Sequence, residues 1–267
     1  MEKRLNPEES ATVKDEEIRP SAGKYIPVTE ATDDQRVGMV KEIFATVTGK
    51  YDFLNHLLSL RRDVMWRRFT VRKMRFLNTR QFLDVATGTV DLAIDVALKY
   101  PDVSITGLDL VKEMLDVGVR KVSQKGLKSR IGLMQGDALR MPFDDEVFDV
   151  AAVAFGIRNI PDRMGALKEM ARVVSPNGQV MVLEMSFTKN WFSTFMYHAY
   201  LNRILPVIAK VFSLNPAAYY YLADSIMNFP VPKEFTRMME SAGLVDVKAY
   251  KLTFGVTHLF VGTKRGQ

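Results

Sequence analysis

The chain contains no cysteine. Disulfide bonds, thiolate zinc sites, iron–sulfur clusters and cysteine nucleophiles are therefore excluded. Histidine is scarce as well, and the three present, His56, His198 and His258, lack the spacing of metal ligands. The sequence predicts a protein that works without a bound metal.

Long apolar runs and a secretory signal are also missing. The first ten residues are charged and have no apolar core. The most hydrophobic long stretch, residues 191–212, contains Arg203, Pro206 and Lys210, so it is a poor membrane span. These features favour the cytoplasm, with peripheral contact at the inner face of the membrane left open.

Positive charge is concentrated in one short segment. The net charge is +6, and residues 61–75 alone carry seven basic side chains and one acid. Such a stripe suits the phosphates of nucleic acid or of anionic lipid, but it is equally typical of a solvated helix face. No nucleic-acid-binding motif accompanies it, so nucleic acid is not an expected partner.

Short apolar runs alternate with helical patterns along most of the chain, which is typical of a parallel, doubly wound sheet. The predicted strands lie near 82–86, 103–108, 131–135, 147–153, 179–185, 245–251 and 257–263. Only a short turn separates the last two, and such a turn permits antiparallel pairing alone. The predicted fold is α/β, with a mostly parallel seven-stranded sheet and a terminal antiparallel strand.

The chain divides into a tail and one domain. Residues 1–33 are polar and predict a loose tail or a strap over the domain. Residues 34–267 form the domain, which begins with helices over 34–78. An aromatic-rich, mostly helical insertion over 187–230 interrupts the strand–helix alternation.

Small residues follow the first predicted strand, at the sheet edge where open α/β folds bind ligands. Asp84 lies in the strand, and Gly88 and Thr89 follow it. A dinucleotide fingerprint would have three glycines here, so a phosphate cradle of that type is poorly supported. The loop suits close approach of a ligand that lacks phosphate.

Two further acids follow the next strands. Asp109 ends the second strand, where a carboxylate can accept from both hydroxyls of a ribose or cap the following helix. Asp137 and Ala138 follow the third strand, where the acid can accept from an exocyclic amine or form an Asx turn. Taken in order, the three segments predict a nucleoside site.

Several segments resemble the ubiquinone/menaquinone biosynthesis C-methyltransferase family, within the class I S-adenosylmethionine-dependent methyltransferases. The matching segments are Tyr51–Asn55 with Ser59 and Trp66, Phe155–Asn159, Arg172–Ser186, and Ala218–Ser225 with Phe229 and Pro230. The resemblance implies that S-adenosylmethionine is bound by Asp84, Gly88, Thr89, Asp109, Asp137 and Ala138.

The resemblance also implies methyl transfer to a ring carbon of a polyprenylated quinol. Arg158 would then stabilise the ionised ring hydroxyl beside Asn159, or form a structural salt bridge. Tyr51 would orient the hydroxyl, or pack in the core. The 187–230 insertion would cover the isoprenoid tail, complete the core or form the face of a homodimer.

Four residues depart from the family pattern: Arg61, Asp63, Val90 and Ala154. The family usually has glycine at the positions of Arg61 and Val90. A side chain at residue 90 either crowds the loop beside the cofactor or points away from it. Two alternatives stay open: a methyltransferase acting on another lipid or small aromatic, and a non-catalytic relative that binds quinone or a partner.

Overall fold

The computed structural model of the protein describes residues 26–186 and 216–266. Its helices are α1 (Asp33–Val47), α2 (Tyr51–Leu58), α3 (Arg62–Lys73), α4 (Asp91–Lys99), α5 (Lys112–Gln124), α6 (Arg163–Val173), α7 (Pro216–Met227) and α8 (Pro232–Ser241). Its strands are β1 (Gln81–Val85), β2 (Ser104–Asp109), β3 (Ile131–Gln135), β4 (Phe148–Ala154), β5 (Val174–Met185), β6 (Leu244–Leu252) and β7 (Thr257–Lys264). Residues 187–215 of the predicted insertion lie outside the described part.

The strands form one seven-stranded sheet in the order β3-β2-β1-β4-β5-β7-β6. β7 is antiparallel to both of its neighbours, β5 and β6, and the other pairings are parallel. The predicted fold class is therefore confirmed, including the antiparallel pairing of the last two strands.

Side chains of each strand alternate between two apolar layers, because successive residues of a strand point to opposite faces. Phe82 of β1 packs with Trp66 of α3 and Leu92 of α4 on one face. Leu83 packs with Leu167 of α6 on the other, where α8 also lies. Helices on both faces leave the strand ends as the open part of the sheet.

The segment before α1 is held against the domain where it is described. Thr32 caps α1 in a reciprocal capping box with Gln35. The Val28 amide donates to Asp224 Oδ2 of α7 at 2.7 Å. Residues 26–32 therefore contact the last part of the predicted insertion, while residues 1–25 of the predicted tail lie outside the described part.

Helix α3 runs from the carboxyl edge of the sheet to its amino edge. Near its start, Trp66 Nε1 donates to Thr253 Oγ1 in the β6–β7 turn at 2.8 Å. Just after its end, the Arg75 amide donates to Gln179 Oε1 at 2.7 Å, on the amino side of β5. The basic segment 61–75 therefore spans the whole sheet and does not surround a single edge.

One basic side chain of that segment is buried. Arg67 is buried and forms ion pairs with Asp63 at 2.9 Å, Asp91 at 3.1 Å and Asp95 at 3.7 Å. Burial acts to raise the pKa of Asp63, but the Ser59 hydrogen bond and the charges of Arg67 and His56 together lower it. The prediction of one basic stripe over residues 61–75 was therefore wrong for Arg67. Asp63, where the chain departs from the family pattern, gives Arg67 a buried partner.

We expect Arg67→Met to lower the free energy of unfolding by about 3 kcal/mol, because it leaves the buried Asp63 carboxylate without its arginine. Urea denaturation at neutral pH measures this. Arg68→Met is the matched control, since Arg68 is exposed on the same helix and should change stability by less than about 0.5 kcal/mol. Equal losses in both variants would contradict a structural role for Arg67.

Candidate functional site

An open cleft lies at the carboxyl edge of the sheet. It sits between the loops that follow β1 and β4, where the strand order reverses and open α/β sheets bind ligands. Its lining includes Ala86, Gly88, Asp109, Asp137, Gly156 and Asn159. The structure thus brings together residues from the predicted nucleoside site and one from the predicted substrate site.

The loop after β1 turns sharply, with Gly88 at φ 55°. Asp84 is buried behind this loop and does not appear among the described residues that line the cleft. Its Oδ2 accepts from Thr87 Oγ1 at 2.7 Å and from the Ala93 amide at 3.1 Å, so it shapes the loop. Burial raises the pKa of Asp84 to about 7.

Thr89 is likewise set back from the cleft. It is buried, and its hydroxyl donates to the Asp52 carboxylate of α2. Lys121 of α5 pairs with the same carboxylate at 2.8 Å. Thr89 therefore ties the N-terminal helices to the loop, and direct contact with a cofactor stays a prediction.

Asp109 joins the first two loops and faces the cleft. Its Oδ2 accepts from the Gly88 amide at 2.7 Å, and its Oδ1 accepts from the Val111 amide, just before α5, at 2.8 Å. Burial raises its pKa. The Leu110 amide also acts on this carboxylate, which offers about four acceptor positions, so at least one remains for the hydroxyl of a ligand. The N-cap residue of α5 is Val111 and the helix has no side-chain cap, so Asp109 orients the backbone before α5 without capping it; its contact with a ligand stays a prediction.

Asp137 and Ala138 line the cleft from the loop after β3. Asp137 Oδ1 accepts from the Leu139 amide at 2.9 Å, which is the Asx turn considered above. Within the described residues its Oδ2 accepts no hydrogen bond. The turn leaves this oxygen for a donor such as an exocyclic amine.

The predicted substrate residues separate into two environments. Asn159 lines the cleft, and its Oδ1 accepts from the Tyr221 hydroxyl at 3.0 Å. Arg158 is buried beside it and donates to Glu184 Oε1 at 2.8 Å, within a buried ion pair. The structural salt bridge considered for Arg158 is therefore present, and its role at the substrate stays a prediction. Tyr51 begins α2, and its side chain lies outside the described part.

Sequence reasoning missed one wall of the cleft. Val37, Val40 and Phe44 of α1 line it, opposite the strand ends. The sequence predicts helices over 34–78 but assigns none of these side chains to the site. The sequence did carry one signal for this wall. Apolar residues recur at helical intervals in α1, although other helices already cover both faces of the sheet.

Val90 does not crowd the cleft. It is fully buried, it belongs to the apolar layer with α4 and α5, and a Cβ added to Gly118 would lie 2.7 Å from its Cγ1. Its φ is 66°, a conformation that disfavours a β-branched residue. Of the two orientations considered, the Val90 side chain takes the one that points away from the cleft. The departure that suggested a non-catalytic relative thus lies outside the cleft.

Sequence comparison identifies related proteins over most of the chain. The model of the ubiE/COQ5 methyltransferase family matches residues 29–264. A ubiquinone/menaquinone biosynthesis C-methyltransferase from Geotalea uraniireducens is 41% identical over 84% of this chain and 96% of its own length. A demethylmenaquinone methyltransferase from Bacillus cytotoxicus is 38% identical over 84% of this chain and 95% of its own.

Solved structures share the fold at low identity. A possible histamine N-methyltransferase from Thermotoga maritima aligns with a TM-score of 0.60 and 17% identity, over 84% of this chain and 99% of its own. A putative S-adenosylmethionine-dependent methyltransferase from Methanococcus maripaludis aligns with a TM-score of 0.59 and 15% identity, over 84% and 94%. The fold is that of the class I methyltransferases.

We expect Val90→Gly to leave S-adenosylmethionine affinity unchanged and to destabilise the protein modestly. It relieves about 1–2 kcal/mol of left-handed strain but loses about 1.5–3 kcal/mol of buried valine. Calorimetric titration and urea denaturation of one preparation measure both quantities.

Val90→Ala is the control for this prediction. It removes two buried methyl groups but keeps a Cβ in the left-handed conformation, so it should be at least as destabilising as Val90→Gly. Tighter cofactor binding by Val90→Gly would show that the side chain obstructs the loop after all.

Proposed function

We propose that the chain methylates a ring carbon of a polyprenylated quinol, because it belongs to the ubiE/COQ5 methyltransferase family. Membership makes it an S-adenosylmethionine-dependent methyltransferase of quinone biosynthesis. Demethylmenaquinol is the substrate we favour, since relatives at 38–39% identity are named demethylmenaquinone methyltransferases. The relatives' names also include ubiquinone, so a ubiquinone precursor is the second candidate substrate.

The observation that best supports the proposal is the group of residues at the Asp109 end of the cleft. The Asp109 carboxylate retains an acceptor position for a ribose hydroxyl, and Asp137 retains an oxygen for an amine. The left-handed Gly88 brings backbone close to the cleft without a side chain. Apolar groups of Leu110 and Met114 complete this end. These residues suit a nucleoside that carries no phosphate.

S-adenosylmethionine supplies an electrophilic methyl group on a sulfonium when it is bound. The protein must hold the quinol ring with one carbon in line with that methyl and must favour loss of the hydroxyl proton. The ionised oxygen makes the neighbouring ring carbon nucleophilic. With the cofactor bound, that carbon would take the methyl group as the sulfur keeps the electrons of its bond, and the ring would then lose its C–H proton.

The substrate ring is proposed to lie beside Asn159, at the end of the cleft away from Asp137. Asn159 is fixed by the Tyr221 hydroxyl, and the Arg158–Glu184 pair lies directly behind it. Val37, Val40 and Phe44 supply an apolar wall for the ring and the start of its tail. Tyr51 is retained as the residue proposed to orient the ring hydroxyl, from the family resemblance alone.

Asp109→Ala is expected to weaken S-adenosylmethionine binding by about 1.5–3 kcal/mol, or roughly 10- to 150-fold in Kd. The reason is the loss of hydrogen bonds to a charged acceptor, measured by calorimetric titration of the purified protein. Asp116→Ala, at an exposed acid of α5, should bind normally. Unchanged affinity in a folded Asp109→Ala variant would limit this carboxylate to orienting the backbone of the two loops.

Quinone analysis of a deletion strain tests the reaction itself. We expect the strain to accumulate the quinone that lacks one ring methyl group. The wild-type gene should restore the methylated quinone, and the Asp109→Ala gene should restore less of it. A normal quinone profile in the deletion strain would contradict the proposed substrate and favour another lipid or small aromatic.

We also propose transient contact with an anionic membrane surface, because a polyprenyl tail partitions into the bilayer. No helix of the described part is long and apolar enough to cross a membrane. Leu60 and Phe254 are 81% and 97% exposed, on turns that the Trp66–Thr253 hydrogen bond holds close together. Arg61 and Arg62 are exposed beside Leu60. We call these four residues the edge patch.

The edge patch replaces the full 61–75 segment as the proposed contact. It combines side chains that can enter the acyl boundary with cations that attract lipid phosphate. Arg72 and Arg75 are exposed too, but they lie at the opposite edge of the sheet. They therefore provide a matched set of cations outside the proposed contact.

We expect salt-sensitive sedimentation with vesicles of phosphatidylglycerol and phosphatidylcholine, and little with phosphatidylcholine alone. Leu60→Ser with Phe254→Ser should reduce binding, whereas Leu98→Ser, at a 65% exposed leucine near the amino edge, should not. Arg61→Gln with Arg62→Gln should reduce it more than Arg72→Gln with Arg75→Gln. Equal losses in both arginine pairs would mean that binding is not directed by the edge patch.

A further inference from the structure

The side-chain amide of Asn159 is held by a buried tyrosine. The Tyr221 hydroxyl of α7 donates to Asn159 Oδ1 at 3.0 Å, and only 3% of Tyr221 is exposed. Asn159 lines the cleft from the turn after β4, whereas Tyr221 does not appear among the described residues that line it. The contact therefore connects a residue of the cleft with a residue set back from it.

A second hydrogen bond decides which way the Tyr221 hydroxyl points. The Arg36 guanidinium of α1 hydrogen bonds to Tyr221, and a guanidinium can only donate. The phenolic oxygen therefore accepts from Arg36, and its single proton is left for Asn159. Burial raises the pKa of Tyr221, although the charges of Arg36 and Arg158 act to lower it, so the hydroxyl keeps this proton at neutral pH.

The orientation of the Asn159 amide follows from that proton. A side-chain amide has an acceptor end, its oxygen, and a donor end, its NH₂ group. If the amide were turned around, the buried Tyr221 proton would meet the NH₂ group and lose its acceptor, which costs free energy. Within the described part of the chain, Asn159 Nδ2 has no hydrogen-bond partner. The NH₂ group is therefore the end left for a ligand in the cleft.

The ring of Tyr221 is itself fixed by packing. It belongs to a small apolar cluster with Val40 and Ile43 of α1, against which Phe44 packs. Val40 and Phe44 also line the cleft, so the same tyrosine supports the apolar wall. A side chain whose own position is fixed by its neighbours can hold a second side chain in one orientation.

The backbone that carries Asn159 is fixed as well. Its amide donates to the Gly156 carbonyl at 3.0 Å within a single 3₁₀ turn. Arg36 donates to the neighbouring Arg158 carbonyl at 2.6 Å, which ties this turn to α1. With the backbone held, rotation of the Asn159 amide is the freedom that Tyr221 removes.

We infer that Tyr221 is a positioning residue, which turns the NH₂ group of Asn159 toward the ring oxygen of the quinol that loses its proton. The inference rests on the proposed function, which places the ring beside Asn159. Asn159 is then a catalytic residue, because its N–H donors stabilise the negative charge that develops on that oxygen. Tyr221 acts on the reaction through Asn159.

A double-mutant cycle in kcat tests this inference. The substrate is a short-chain demethylmenaquinol kept reduced, with saturating S-adenosylmethionine. Tyr221→Phe keeps the ring and should lower kcat about tenfold, and Asn159→Ala should lower it about 100-fold. The double variant should lose no more than Asn159→Ala alone, because Tyr221 has nothing left to orient. Losses that multiply would give Tyr221 a separate structural role and overturn the inference.

Tyr100→Phe is the matched control. The Tyr100 hydroxyl, at the end of α4, donates to the Val71 carbonyl at 3.0 Å, outside the cleft. Its removal deletes a comparable hydrogen bond and should leave kcat unchanged. Calorimetric titration should give the wild-type S-adenosylmethionine affinity for both tyrosine variants. An equal fall in kcat for Tyr100→Phe and Tyr221→Phe would contradict a specific role for Tyr221.

A binding measurement reports the orientation of the amide without catalysis. The probe is 2-hydroxy-1,4-naphthoquinone, whose ionised form absorbs visible light, bound together with S-adenosylhomocysteine. Asn159→Ala should raise the pH at which the bound probe ionises by about one unit, because the ionised oxygen loses its donors. Tyr221→Phe should raise it by less. A shift to lower pH in Asn159→Ala would mean that the amide oxygen faces the probe, and this sign decides the orientation even if Tyr221→Phe fails to fold.

The outcomes distinguish this inference from the proposed function. If the wild type methylates the quinol but the two losses multiply, or the probe shifts to lower pH, the inference is overturned and the function stands. If the wild type fails to methylate the quinol, yet probe ionisation depends on Asn159 and Tyr221 as expected, the oriented donor site stands without the proposed substrate.

Discussion

The two hydrogen bonds that Asp109 accepts are the interaction on which the cleft depends. One fixes the Gly88 amide and the other fixes the amide before α5. The loop after β1 is thereby held at the end of β2. A carboxylate that is already oriented by backbone donors loses little freedom when it accepts a further hydrogen bond, which makes binding at this position efficient.

A second constraint governs the other end of the cleft. Glu184 is fully buried and pairs with Arg158 directly behind Asn159. Two acids, Asp109 and Asp137, face the cleft itself, whereas this ion pair is set back from it. On the proposed function, the nucleoside lies by the two acids and the quinol ring by Asn159.

The sheet could be predicted from the sequence because its buried strands read as short apolar runs, and the short turn at Gly255 allowed only antiparallel pairing. Positions such as Asp109 and Asp137 were predictable because strand ends meet at one edge. The burial of Arg67 was not, because its partners Asp91 and Asp95 belong to another helix. The orientation of Val90 was equally hidden, since it depends on Gly118 of α5.

The position of β7 in the sheet has a consequence for how the protein is made. β7 lies between β5 and β6 although it follows both in the chain. Until residues 257–264 leave the ribosome, β5 presents an unpaired edge lined by valine and leucine, and such edges invite pairing with other chains. The sheet is therefore completed only once both β6 and β7 have been made. For that interval the exposed edge of β5 is the part of the nascent chain most open to aggregation.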